Sequence, residues 1–145
     1  MRCVVQRVRR ASVEVSGAIV SEIGPGLLVL AGVEKGDSDE AMAAAARKLR
    51  ELRIFADADG KMNLDVANAG GAILAVSQFT LAGSIERGRR PSFDRAEEPE
   101  EARRKFEIFV RELGASGIPV RTGVFREMMI VSLENDGPVT FVYEG

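Results

Sequence analysis

The chain has 145 residues, of which 46% are hydrophobic, and this length and composition predict one globular domain over residues 1–145. The formal net charge of -2 argues against broad electrostatic coating of a nucleic acid, and the absence of histidine excludes Ser-His and Cys-His nucleophile pairs. No apolar run approaches the roughly 20 residues of a membrane span, and the first residues alternate instead of forming a signal-peptide core, so we expect a cytoplasmic protein with no membrane partner.

The first third of the chain predicts β-strands followed by a helix. The segments RCVVQRV and SVEVS alternate apolar and polar residues, AIVSEIG follows a Ser16-Gly17 turn, and GLLVLAGV is apolar throughout, as in a strand buried on both faces. The single cysteine, Cys3, falls in the first strand and is expected to be a buried thiol. The next segment, DEAMAAAARKLRELR, is rich in helix formers and spaces its apolar residues for one helical face.

The rest of the chain predicts a second helix among further strands. RIF indicates a short strand, DADGKMN a turn, AILAVSQFTL a buried strand and AGSIERGRRPSFDRA a long loop. A helix is expected to begin near Pro99, and IPVRTGVF, EMMIVSLEN and PVTFVYE predict three closing strands. We therefore predict a single α+β domain in which a curved, mixed or antiparallel, barrel-like β-sheet is covered by two main helices.

Metal and cofactor binding are not predicted. One cysteine and no histidine argue against a transition-metal site. The aspartates of DADGKMN fail the EF-hand pattern, because the glycine occupies the fourth position of the stretch and not the sixth. There is no GxSxG elbow, and Gly24-Pro25-Gly26 fits neither a dinucleotide loop nor a phosphate loop.

One strand end has the residue types of a functional site. Ser77-Gln78-Phe79-Thr80 ends a buried strand with two hydroxyls and an amide, and the loop that follows contains the arginine cluster Arg87, Arg89 and Arg90. This combination suits a phosphate-bearing substrate. A strand that merely reaches the surface would show the same pattern, so the residues alone leave both interpretations open.

The quartet Asn135-Asp136-Gly137-Pro138 predicts a turn between two strands. Asp-Gly favours hairpins, and a proline just after it removes a backbone donor. A Gly-Pro bond can also be cis in a folded protein, and the sequence does not choose between the isomers. The quartet is therefore either a plain turn or a turn with a second role.

Six segments of the chain occur in the order and at the spacing of one known family. They are QRVRRASVEV, GLLVLAGVEKGD, LRIFADADGKMN, SQFTL, RGRRPSF and VSLENDGPVTF. The chain resembles the D-aminoacyl-tRNA deacylases over essentially its whole length, and SQFTL together with NDGPVT is specific to them. The resemblance implies a homodimeric enzyme that hydrolyses the ester between a D-amino acid and the 3′ CCA end of tRNA. It also implies that glycine carried by tRNA, such as glycine mischarged on tRNA(Ala), is accepted.

The resemblance implies catalytic roles for the SQFTL match. Ser77, Gln78, Phe79 and Thr80 would form the acyl pocket, with backbone amides near Phe79 and Thr80 stabilising the developing oxyanion. The 2′-hydroxyl of the terminal ribose would help to activate water. Without a histidine, Thr80 lacks an evident general base, so we expect it to be a passive hydroxyl.

The resemblance also implies roles for residues outside SQFTL. Gly137 and Pro138 would be held cis and project into the partner subunit's active site, where their carbonyls capture the substrate's amino group and leave no room for an L side chain. Arg89 and Arg90 would contact the phosphates or ribose of the CCA end. Arg7 would brace the Gly-Pro segment from beneath, a surface arginine being the alternative.

The sequence departs from the family pattern at two places. Ala82 replaces an aromatic residue after SQFTL, which puts the grip of the following loop on the adenosine in doubt. Arg126 and Glu127 replace small residues before Met129, a matched substrate-binding position, and either alter the pocket wall or point to solvent. Two alternatives to a hydrolase stay open: a non-catalytic module that binds the tRNA CCA end, and an interaction domain with no RNA role.

Overall fold

Eight β-strands and two α-helices make up the computed structural model, which describes residues 1–145. The strands are β1 (Arg2–Val15), β2 (Ala18–Ile23), β3 (Gly26–Gly32), β4 (Phe55–Ala56), β5 (Met62–Leu64), β6 (Ala72–Ser77), β7 (Val120–Thr122) and β8 (Ile130–Glu144). The helices are α1 (Asp39–Arg50) and α2 (Pro99–Leu113), and short 3-10 turns cover Phe79–Ala82 and Ala115–Gly117.

Six of the strands form one mixed sheet. Its order is β2-β1-β3-β6-β7. β2 pairs with Ala11–Val15 of β1 and β3 pairs with Arg2–Val8 of β1, and β8 lies along the opposite edge of β1 from both. The β1 pairings are antiparallel, whereas β6 runs parallel to β3 and β7. The two ends of the path curl toward each other, and Ser21 Oγ of β2 donates a 2.7 Å hydrogen bond to the Thr122 carbonyl of β7. The predicted α+β fold, with a barrel-like sheet and two main helices, is confirmed.

Apolar side chains pack on both faces of this sheet. On one face Met42 and Leu49 of α1 and Phe109 and Leu113 of α2 are almost entirely buried against β1, β3 and β6. Cys3 of β1 is buried in the same cluster, and burial raises the pKa of its thiol to about 12. A second cluster occupies the other face and also draws on β1, β3 and β6. Because β3 and β6 are covered on both faces, their sequences are apolar throughout and do not alternate.

Both helices begin at the residue types that favour a helix start. Ser38 precedes α1, and its side chain accepts a 3.1 Å hydrogen bond from the Ala41 amide, which satisfies one of the free donors of the first turn. Pro99 is the first residue of α2, as predicted. Lys105 within α2 is buried, which the sequence does not indicate. Neither helix is long and apolar enough to cross a membrane.

The closing segment differs from the prediction of two strands joined by a turn. β8 is a single strand that pairs with β1 on both sides of the Asn135–Pro138 quartet. Between the pairs Gln6↔Thr140 and Val8↔Asn135, β1 advances two residues while β8 advances five, so β8 carries three extra residues there. They form a bulge, because both flanks of the quartet pair with the same strand in the same direction.

Candidate active site

A cleft of about 570 Å³ opens at the carboxyl end of β6. β3 and β6 are parallel, so their carboxyl ends meet at one edge of the sheet, as at the ligand sites of many α/β proteins. Ser77 is the last residue of β6 and pairs with Ala31 of β3, and the Gln78 amide donates to the Ala31 carbonyl at 2.8 Å. Beyond Gln78 the chain leaves the sheet and forms the cleft wall.

The 3-10 turn after Gln78 presents two backbone amides at this wall. Both Phe79 and Thr80 line the cleft and are exposed. The hydrogen bonds that close the turn start from the amides of Leu81 and Gly83 and do not use those of Phe79 and Thr80. The first amides of any helical turn have no acceptor within it. These two N–H groups are therefore available to a bound ligand.

The hydroxyl of Thr80 contacts an amide and no base. Gln78 Nε2 donates a short hydrogen bond to Thr80 Oγ1. A neutral amide cannot remove a proton from a hydroxyl, whichever way its oxygen and nitrogen are oriented. The geometry at Thr80 thus lacks the nucleophile-and-base pair of covalent hydrolases.

Two carboxylates line the cleft, and they differ in their contacts. Glu97 accepts from Lys105 Nζ at 2.6 Å and from the Glu98 amide at 3.0 Å, so both of its oxygens are engaged. The hydrogen bond from Lys105 lowers the pKa of Glu97 and keeps it ionised. Glu127 is exposed, and its carboxylate forms no ion pair.

The opposite wall is the segment that precedes β8. Met129 is half-buried there, and a Cβ placed on Gly123 would lie only 2.7 Å from its sulfur, so Gly123 makes room for this side chain. Phe125 packs against Phe106 of α2 with ring centroids 6.3 Å apart. Arg126, in the left-handed region with φ 68°, is exposed at the cleft mouth. The segment that departs from the family pattern is therefore part of the wall and also faces solvent.

The other departure, Ala82, is the last residue of the 3-10 turn and is 1% exposed. A Cβ on Gly32 would come within 2.9 Å of the Gln78 carbonyl and of Leu81 Cβ, so the turn rests directly on the end of β3. An aromatic side chain reaches the rim from elsewhere. The ring of Phe93 lies 5.1 Å from that of Phe79.

The Gly137-Pro138 bulge lies outside the cleft of its own chain. Its peptide bond is cis, and both residues are exposed. Arg7 is only 15% exposed and supports the bulge from beneath. Its Nε donates to the Asp136 carbonyl at 3.1 Å, and its Nη1 donates to the Ile54 carbonyl at 2.6 Å. Arg7 is thus not an ordinary surface arginine.

The segment Ser84–Ser92, which contains Arg87, Arg89 and Arg90 and is called the arginine loop below, also stays outside the cleft. Arg89 and Arg90 are exposed and line no part of it. The base of the loop is closed by two backbone hydrogen bonds between Ser84 and Ser92, of 2.8 and 2.9 Å. Within one chain, the fold therefore separates the loop and the Gly-Pro bulge from the pocket residues.

The structure divides the predicted site residues into two groups. Those that line the cleft together are Ser77, Gln78, Phe79, Thr80 and Met129. Those that do not are Arg7, Arg89, Arg90, Gly137 and Pro138. Sequence reasoning missed Val33, Glu97, Pro99, Ala102 and Phe125 as lining residues. A helix predicted to start at Pro99 was the one available signal, since a helix start beside a parallel sheet edge often contributes to a site.

Two solved structures share the fold over almost the whole chain. One, titled "c-Myc DNA Unwinding Element Binding Protein", matches with a TM-score of 0.94 and 38% identity and covers 100% of this chain and 99% of its own. The other, a "probable eukaryotic D-amino acid tRNA deacylase", has a TM-score of 0.81 at 18% identity and covers 98% of this chain and 97% of its own. The architecture is thus that of the deacylase fold.

The sequence comparisons are more specific. The model of the D-Tyr-tRNA(Tyr) deacylase family matches residues 4–144. A D-aminoacyl-tRNA deacylase of Pelobacter propionicus is 55% identical over 99% of both chains, and one of Thermodesulfovibrio yellowstonii is 51% identical over 98% of this chain and 97% of its own. The chain belongs to the D-Tyr-tRNA(Tyr) deacylase family and is a hydrolase of that class.

Proposed function

We propose that this protein hydrolyses the ester bond of D-aminoacyl-tRNA in the cytoplasm and releases free D-amino acid and tRNA. The observation that carries the proposal is the cleft at the end of β6, where the amides of Phe79 and Thr80 donate no backbone hydrogen bond and are available to the carbonyl oxygen of an acyl group. Two amides directed at one carbonyl oxygen stabilise the negative charge that develops when water attacks it. The whole-length family match supports the same reaction.

The remaining chemistry comes from the substrate. An aminoacyl ester is already activated, and the 2′-hydroxyl of the terminal ribose assists the attacking water. The contacts of Thr80 and Glu97 support this assignment, because Thr80 meets only an amide and each oxygen of Glu97 already accepts a hydrogen bond. Glu127 is the one unpaired carboxylate of the cleft and hence the rival general base. Replacement of Glu127 by glutamine should change kcat little, and a fall of about 10²-fold or more, as expected for a general base, would assign it that role.

Chiral selection comes from the Gly137-Pro138 bulge of a second subunit. The bulge is exposed and absent from its own cleft, so its carbonyls reach a substrate only in another copy of the chain. There they bind the amino group of the substrate and leave no space for an L side chain. Glycine has no side chain to reject, so glycyl-tRNA is accepted as well.

The free edge of β8 supports a homodimer. β8 pairs only with β1, so the other edge of this 15-residue strand has no partner within the chain. Long apolar edges invite pairing with another copy. The exposed apolar side chains of this strand are Ile130, Leu133, Phe141 and Val142. The Gly137-Pro138 bulge interrupts the same strand, which brings it to the proposed subunit interface.

The first experiment compares D-tyrosyl-tRNA with L-tyrosyl-tRNA as substrates of the purified protein. We expect rapid release of D-tyrosine and little release of L-tyrosine, without added metal. Equal rates, or no hydrolysis, would refute the proposal. Binding that depends on the CCA end but gives no turnover would favour a non-catalytic RNA-end module, and the absence of tRNA protection in a footprint would favour an interaction domain.

The second experiment tests action across the interface by complementation. Ser77→Tyr fills the cleft, and Gly137→Val places a side chain at φ +129°, where a Cβ already meets Val139 at 2.8 Å and Arg7 at 3.0 Å. Each variant alone should be inactive. After subunit exchange, half of the dimers are mixed and hold one intact site of two, so activity should return to about a quarter of wild type. No recovery in verified mixed dimers would place the bulge and the cleft in the same subunit's site.

A further inference from the structure

Two exposed aromatic rings meet just outside the cleft. Phe79 on the rim is 57% exposed, and Phe93, which follows the arginine loop, is 37% exposed. Their centroids lie 5.1 Å apart with planes tilted by 58°. Phe93 does not line the cleft, so the pair extends the aromatic surface outward from the acyl pocket.

The loop backbone fixes the position of Phe93. The Ser84–Ser92 hydrogen bonds close the loop immediately before it, and Ser92 Oγ donates to Asp94 Oδ2 at 2.6 Å immediately after. On the inner side, a Cβ on Gly83 would lie 2.9 Å from the ring, so the ring rests on the glycine backbone. Phe93 is therefore held in place by Gly83 and Phe79, and 37% of its surface stays exposed.

The charges of the loop are unpaired. Arg87, Arg89 and Arg90 are exposed and enter no ion pair, whereas Arg95, a few residues further on, lies 2.8 Å from the Glu34 carboxylate. Cations without a protein partner next to open aromatic rings are the combination that binds single-stranded nucleic acid, with bases stacked on the rings and phosphates near the cations. A surface for protein contact would need a wider apolar area than two rings.

We propose that Phe93 stacks the base of the nucleotide that precedes the terminal adenosine, the penultimate cytidine of the CCA end. This inference rests on the proposed deacylase function. With the aminoacyl ester at Phe79 and Thr80, the RNA leaves the cleft across the Phe79 rim. The next base then meets Phe93, and its phosphate lies toward the arginine loop. Phe93 is a binding residue and does not touch the reacting atoms.

The test uses two short substrates, D-tyrosyl-adenosine and D-tyrosyl-CpA, which differ by the penultimate nucleotide alone. The measured quantity is the kcat/KM of the second divided by that of the first. Phe93→Leu, which keeps apolar bulk but removes the ring, should lower this ratio by about 5- to 100-fold, the effect of losing one base–aromatic stack. Phe93→Tyr should keep the ratio, and so should the matched control Ile85→Ala, which removes an exposed apolar side chain from the neighbouring arginine loop.

A ratio that Phe93→Leu leaves unchanged, or that Ile85→Ala lowers equally, would overturn the inference while leaving deacylation intact. If the wild-type protein hydrolyses neither short substrate nor D-tyrosyl-tRNA, the proposed function fails first. Binding can be measured even if a variant has lost turnover. The wild type should quench the fluorescence of pyrrolocytosine at the penultimate position of an unacylated, CCA-tipped RNA hairpin. Phe93→Leu should quench it less, and equal quenching by the two proteins would contradict stacking.

Discussion

Replacement of Arg7 tests whether its half-buried guanidinium holds the Gly137-Pro138 bulge. Arg7→Ala removes two charged hydrogen bonds, to the carbonyls of Asp136 and Ile54, each worth about 1.5–3 kcal/mol. Ile54 is 5% exposed, so water replaces that bond poorly, whereas the bulge is more accessible. We therefore expect a loss of about 2–4 kcal/mol in the free energy of unfolding.

A neighbouring arginine supplies the control. Arg9 is 76% exposed and makes a single 3.4 Å contact with the Asp136 carboxylate, so Arg9→Ala should cost less than about 0.5 kcal/mol. Arg7→Lys should fall between the two, because an ammonium group cannot span two divergent carbonyls.

The assay is urea unfolding at one fixed protomer concentration, since dimerisation would make stability concentration-dependent. The same variants are then assayed for the rate ratio of D-tyrosyl-tRNA to L-tyrosyl-tRNA. We expect Arg7→Ala to lower this ratio and Arg9→Ala to leave it near that of the wild type. Equal losses of stability for Arg7→Ala and Arg9→Ala would refute the bracing role.

Three further predictions concern the cleft and its surroundings. Thr80→Ala should lower kcat by less than about 10-fold, because a group that transfers a proton contributes about 10²-fold or more. Complete loss of activity in this variant, together with an acyl-enzyme trapped on Thr80 of the wild type, would instead establish covalent catalysis. Arg89→Ala and Arg90→Ala should each reduce the slope of log Kd against log salt for CCA-tipped RNA by about 0.7. The control Arg47→Ala, at an exposed position on α1, should leave the slope unchanged. Unchanged slopes for all three variants would show that the arginine loop does not bind phosphate. The hydrogen bond from Lys105 lowers the pKa of Glu97, so the stabilisation by this pair is present above the ordinary carboxyl pKa and is lost as pH falls through the lowered value. Glu97→Gln should therefore flatten the loss of stability as pH falls below the ordinary carboxyl pKa, and an unchanged profile would contradict that contribution.

The helices and buried strands could be predicted because their signals are local. Ser38 and Pro99 mark helix starts through their own backbone and side-chain preferences, and the apolar runs of β3 and β6 reflect coverage on both faces. The strand end at Ser77 was also visible, because a buried apolar run turns polar where its strand reaches the surface. On the opposite wall, Met129 was indicated only by the family resemblance. Phe125 was not predicted as a lining residue, because it lies far along the chain and its position depends on packing against Phe106.

The sequence by itself determined the family, the two helices, the apolar strands and the absence of a histidine-based mechanism. Only the tertiary structure decided what the Asn135–Pro138 quartet does. Asp-Gly favours a hairpin locally, but both flanks of the quartet pair with β1, so β8 continues as one strand through a bulge. Long-range pairing, which no local pattern encodes, thus turns an expected turn into an exposed projection supported from beneath by Arg7.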